Sequence, residues 1–172
     1  MVTPRVKVYI PATLGMLQRL VNERSLWPVN GTAFAVTPTL REAYAEGDED
    51  ELAEVALREA ALASLRLLAN DAETGSSQPP RRAVLAAEAD EAKYRPDLDD
   101  AVVRLAGPVS IEQVIAAYVD NAGAESAVTK AIEVIDAADL GDEDAELIVG
   151  DAQDHDLAWY ANQELPFLLD LL

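Results

Sequence analysis

Residues 5–12, RVKVYIPA, alternate apolar and polar positions. Val6, Val8 and Ile10 oppose Arg5, Lys7 and Tyr9. That period of two predicts a strand with one buried face, ended by Pro11. The period then lengthens. Leu14, Leu17, Leu20 and Val21 recur at helical spacing behind Thr13, a residue suited to cap a helix. WPVNGT, residues 27–32, is turn chemistry. AFAVTP is a second short strand, and Thr37-Pro38 opens a helix with proline at its first position. Thr39 and Glu42 offer a competing capping box.

Acidic residues 48–51 mark the start of a longer helix, Glu49 to Ala69, where they complement the helix dipole. Glu54, Arg58 and Arg66 leave only a narrow wet stripe on it, which predicts a largely buried helix. NDAETGSSQPP, residues 70–80, reads as a loop. Ala83–Ala87 is a continuous apolar run, as in an interior strand. EAKYRPDLDD reads as a polar connection, and AVVRLAGPV as a fourth strand closed by Gly107-Pro108. Ser110 to Gln113 fits a capping box for a short helix. VIAAYVD, residues 114–120, continues that helix or forms a fifth strand, and its β-branched and aromatic run favours the strand; residues 124–138 are helical.

After the break DLGDEDAE, one or two closing helices reach Leu172. The first runs to Glu164. Pro166 then interrupts, and a turn or second helix runs to Leu169. The order β-α-β-α-α-β-loop-β-α-β-α-α predicts an α/β or α+β fold. Its core is a mixed sheet of about five strands layered with helices, in a single compact domain over 1–172. A subdomain boundary is expected, if anywhere, in the loop 70–80. The apolar string from Leu165 to Leu172 is expected to pack back on the domain with Trp159 as anchor, or else on another chain.

Composition narrows the chemistry. The chain has no cysteine, which removes disulfides, thiol nucleophiles and cysteine-based metal sites. Its net charge is −19, from 32 acidic against 13 basic residues. Such a balance argues against nucleic acid and anionic membrane. No apolar stretch approaches membrane-spanning length, and the N-terminus lacks a signal-peptide pattern, so a cytoplasmic location is expected. No Lys or Arg follows Lys130. The plainer reading of this acidic end is a solvated surface that aids solubility; the alternatives are attraction of a basic protein partner and self-association.

His155, the only histidine, sits between Asp154 and Asp156, where a protonated imidazole would be favoured. No G-x-S-x-G elbow supplies it with a nucleophile. Residues 136–147 place Gly141 as an EF-hand loop would, but Ala138, Leu140 and Leu147 stand where ligands are required. Residues 47–51 suit a helix start better than a metal cage. No phosphate-cradling motif is present, and NGTAF, residues 30–34, reads as a tight turn before a strand. Ser76 and Ser77 are ordinary loop serines, and the scattered aromatics lack the basic surroundings of a stacking platform. Thr13, Thr37 and Asp120 follow predicted strands, where open α/β sheets gather ligands. The two threonines are equally well explained as caps.

Four segments taken in order carry a resemblance: VYIPATL, GTAFAVTPTLREAYAEGDEDELAEVALREAALASLRLL, RLAGPV and WYANQELPFLL. Together they resemble a conserved family of actinobacterial proteins of unknown function. The resemblance implies a small cytosolic bacterial protein and transfers no activity, cofactor or catalytic residue. No catalytic, cofactor or metal residue is assigned from the sequence. The reading it supports is a non-catalytic interaction or regulatory module. The alternative is a small hydrolase-type enzyme using Asp and Glu, with or without a divalent metal.

Overall fold

The computed structural model describes residues 5–73, 75 and 78–171. Its elements are β1 (Val6–Ala12), α1 (Leu14–Glu23), β2 (Ser25–Leu26), β3 (Thr32–Phe34), α2 (Pro38–Ala43), α3 (Glu49–Glu73), β4 (Ala83–Ala89), β5 (Ala92–Tyr94), β6 (Val102–Leu105), β7 (Val109–Ser110), β8 (Val114–Val119), α4 (Glu125–Asp139), α5 (Glu143–Gln153), β9 (Ala158–Ala161) and α6 (Leu165–Asp170). Short 3-10 turns precede β3, β8, α4 and α6.

Seven strands form one sheet in the order β5-β6-β3-β1-β4-β8-β9, and β2 pairs separately with β7. Every pairing is antiparallel. The fold is therefore α+β, and the expected mixed sheet of about five strands is corrected on both counts. Alternation of strands and helices shows that a helix intervenes. It does not show at which end of the sheet the chain re-enters, so strand direction was not legible.

The extra strands are short and paired from outside. β5 lies in the polar stretch read as a connection, and its three residues are too few to show a period. The predicted fourth strand splits at Gly107-Pro108 into β6, in the large sheet, and β7, which leaves it to pair with β2. Residues 158–161 were expected in a helix reaching Glu164. They form β9 instead, with Ala158 to Ala161 opposite Val119 to Ala116 of β8. Tertiary pairing overrides a short local pattern of this kind. The short helix expected at 110–113 is a single 3-10 turn, although Ser110 N–H does donate to Gln113 Oε1 at 2.8 Å. The loop expected at 70–80 starts later, because α3 continues to Glu73. Ser76 and Ser77 lie outside the described residues.

Period-two alternation gives the sheet two apolar faces. Val8, Ile10, Leu85, Ala87, Ala117 and Val119 face α1 and α6, with Leu14, Leu17, Leu20, Leu165 and Leu168 packed on them. Tyr9, Phe34, Val84, Ala86 and Val102 face α2 and α3, through Leu40, Leu52, Ala56 and Ala60. Residues Leu65 and Leu68 of α3 pack on the α4–α5 pair through Val128, Ala131, Ile135, Val149 and Ala152. The wet stripe of α3 falls at Glu54, Arg58 and Arg66, as its sequence predicts.

The caps also form where the sequence places them. Met16 N–H donates to Thr13 Oγ1 and Leu40 N–H to Thr37 Oγ1. Thr37 in turn donates to the Asp100 carbonyl, tying α2 to the strand β6 side of the sheet. Thr37 with Pro38 thus fixes the start of α2, and the competing box at Thr39 does not form. At the chain end, Leu165 and Leu168 are buried while Phe167 and Leu171 are exposed. The expected packing holds for one side of that segment. Trp159 is 57% exposed and is not its anchor.

Candidate functional site

Two polar constellations stand out, one closed and one open. The closed one sits at the ends of β4 and β8. The register pairs Ala83 with Val119, so Arg82 and Asp120, one step beyond, come face to face. Asp120 Oδ1 accepts from Arg82 Nη2 at 2.8 Å, and Oδ2 accepts from Arg82 Nε at 2.9 Å and from the Arg82 backbone N–H at 2.8 Å. Both side chains are buried, 2% and 0% exposed.

Two further guanidinium donors are also used. Nη1 donates to Gln153 Oε1, and Nη2 to the His155 carbonyl. Gln153 passes a hydrogen bond on to the Arg58 carbonyl of α3. Beside this cluster, Ser64 of α3 donates to the Ala12 carbonyl and accepts from Ala83 N–H, which clips the helix to the ends of β1 and β4. The cluster thus joins β4 and β8 to α3, the end of α5 and the turn after it. Asp120 is fully buried and both of its oxygens accept from Arg82, so it is a structural acid.

The other sequence candidates are likewise accounted for by the fold. Thr13 and Thr37 are buried helix caps. The side chain of His155 is exposed in the turn between α5 and β9, and only its carbonyl reaches the Arg82 cluster. The fold therefore brings the His155 backbone and Asp120 to one arginine, without opening a cleft that joins an imidazole, a carboxylate and a threonine. The EF-hand-like stretch is the α4–α5 connection: Gly141 takes φ +96°, and Asp142 caps α5 by accepting from Ala145 N–H at 2.9 Å. Among the described residues, no group of three or more acidic or histidine side chains is placed to hold a metal ion.

The open constellation is a cleft of about 500 Å³ between α3 and the sheet, near the turn that enters β9. Lys7, Tyr9 and Tyr118 come from β1 and β8. Asp50 and Glu54 come from α3, and Asp156 and Leu157 from the turn. Tyr9 and Tyr118 reach the same sheet face because each stands at the matching parity of its strand, across Val84 and Ala86 of β4. Tyr9 is 4% exposed, and the Lys7 ammonium lies 5.6 Å from its ring centroid, within cation–π range. Burial, with Tyr9 adding to it and Lys7 opposing it, pushes the Tyr118 phenol above its ordinary value. Tyr118 is therefore a neutral hydrogen-bonding group near pH 7 and not a general base.

Asp50, Glu54 and Asp156 are exposed at this cleft, against one cation, Lys7. The sequence put Tyr9 on the polar face of β1 and Tyr118 in the fifth strand, with nothing to join the two. Their shared strand parity was the available signal, and it becomes informative only once β4 is known to lie between them.

Fold and clefts together define an α+β protein with an antiparallel sheet, a locked buried ion pair and an open aromatic–acidic cleft. It belongs to a family of unknown function, DUF6912, whose model matches residues 6–169. That match bears out the resemblance in its family and in its unknown function, and says nothing of an actinobacterial range. No curated protein matches the chain. No solved structure matches it either. Among the described residues, no helix is long and apolar enough to cross a membrane.

Proposed function

We propose that this protein is a non-catalytic interaction module of the bacterial cytoplasm, and that its Tyr9–Tyr118 cleft receives a basic segment of a partner protein. The observation that carries this reading is the lining of the cleft. Tyr9 and Tyr118 contribute to that lining beside the exposed carboxylates of Asp50, Glu54 and Asp156. Aromatic faces and carboxylates are the groups that recognise an ammonium or guanidinium. Lys7 already lies over the nearly buried Tyr9 ring, so Tyr118 and the three carboxylates are the groups left for the partner's cation. The net charge of −19 would steer such a partner toward the protein and make association salt-dependent.

The chain acts in this reading as one folding unit. The pairing of β1 with β4 from Val6–Ala89 to Ala12–Ala83 supports that reading.

Titration calorimetry with a lysine-rich peptide tests the proposal. Binding is expected at low ionic strength, with loss at high salt and in the triple variant Asp50→Asn, Glu54→Gln, Asp156→Asn. Equal binding by the wild type and the triple variant would refute it.

A further inference from the structure

The one motif left unused by this reading is the Asn30-Gly31 turn. Asn30 and Gly31 both take left-handed conformations, φ +58° and +68°. A Cβ on Gly31 would stand 3.0 Å from the Leu105 carbonyl oxygen, so glycine lets this turn lie directly against β6. The consequence is a fixed acceptor: the Asn30 carbonyl takes a hydrogen bond from Arg104 Nη1 at 3.0 Å. The turn therefore holds one side of the Arg104 guanidinium in place.

Arg104 stands in a row. Lys93 of β5 is its register partner on one side, and Thr32 of β3 on the other. Directly opposed residues in adjacent strands project from the same face, with side chains near enough to interact. Two cations and a hydroxyl are thus aligned across three strands. Like charges directly opposed destabilise a sheet, and a neutralising acid is the usual remedy. In a chain with 32 acidic residues, none comes within ion-pair distance of Lys93 or Arg104 among the described residues, and Asp97, the acid whose field Lys93 touches, is bonded to Arg95 instead. Arg104 Nε is moreover the one buried side-chain donor among them without a partner. An edge-strand lysine alone would be explained as a guard against strand pairing. That role leaves the inner Arg104 and its unused donor without an explanation.

We propose that Lys93, Arg104 and Thr32 form a seat for a tetrahedral oxyanion, a phosphate group, either free or carried on a larger molecule. Arg104 is the central donor, set by the Asn30 carbonyl. Lys93 neutralises the second charge, and the Thr32 hydroxyl completes the row. A cleft of about 450 Å³ lies along this end of the β5–β6 hairpin and gives the anion room; Lys93, Arg104 and Glu91 contribute to its lining. Glu91 and the acidic field of the molecule oppose the anion, so affinity on the order of millimolar is expected.

The test is an NMR titration of the full chain with inorganic phosphate and, separately, with phosphoserine, each at constant ionic strength against chloride. Saturable shifts at the Thr32, Lys93 and Arg104 amides and at the Arg104 side-chain N–H are expected with at least one of the two. Lys93→Met, at an exposed position whose loss leaves the spectrum dispersed, should weaken binding about fivefold, and Glu91→Gln should strengthen it about twofold. Shifts that never saturate with either ligand would overturn the proposal. So would saturation that Lys93→Met and Arg104→Lys both leave unchanged.

Discussion

The Arg82–Asp120 cluster and the Lys7–Tyr9–Tyr118 cleft use similar ingredients to opposite ends. Each sets acid and cation beside the sheet, the first at the ends of β4 and β8 and the second on β1 and β8. In the first, every oxygen of Asp120 meets a donor of Arg82, and the pair is sealed from water. In the second, Asp50, Glu54 and Asp156 stay exposed, and Lys7 rests on a ring instead of on an acid. A charge fully matched from within is committed to the fold. A charge left unmatched at a concave surface is free to meet something else. The chemistry-bearing residue that the sequence placed after β8, Asp120, fell on the committed side.

The largest expected effect breaks the closed region. Asp120→Ala leaves Arg82 buried without its partner and should destabilise the fold by about 3–5 kcal/mol, read from urea unfolding. The double variant Arg82→Met, Asp120→Leu removes both charges and should recover most of that loss, since a buried pair is often replaceable by apolar groups. Failure to recover would mean that the Gln153 and His155 contacts carry the energy instead. In the open region, Glu54→Gln should change stability by less than about 0.5 kcal/mol, because nothing in the fold depends on that carboxylate.

Acidity separates committed from uncommitted carboxylates further. Hydrogen bonds from Arg66 hold Asp139 below its ordinary value. A lowered folded value means that the stabilisation is present above the unfolded value and is lost as pH falls through the folded one. Asp139→Asn should therefore flatten the acid limb of the stability curve below about pH 4. Glu59 behaves oppositely. Burial, with Asp99 adding to it, raises its value. Its charged form burdens the folded state, and that burden is relieved as pH falls through the raised value. Glu59→Gln should raise the urea midpoint slightly at pH 7 and leave it unchanged at pH 3.

Much of the fold was legible because it is local. The caps Thr13 and Thr37, the Thr37-Pro38 start of α2 and the wet stripe of α3 are all set by residues within a turn of one another; β1 forms where its period-two run lies, but Val8 to Ala12 are all buried, so both faces are covered where one was expected, and Pro11 lies inside the strand instead of ending it. The misread parts depend on distant partners. β9 is a strand because β8 lies beside it, and nothing in AWYA alone shows that. The polar pattern marking β5 as a connection is the pattern of an edge strand. The cleft was illegible for the same reason: Tyr9 and Tyr118 lie far apart in sequence and meet only across β4.

The most direct measurement is an NMR chemical-shift map of the protein titrated with a lysine-rich peptide at low ionic strength. The account predicts saturable shifts at Lys7, Tyr9, Glu54, Tyr118 and Asp156, and at Trp159, which lies opposite Tyr118 in β9. It also predicts unchanged signals for Arg82, Asp120 and Gln153. Shifts spread evenly over the acidic surface, or confined to residues away from the cleft, would contradict it.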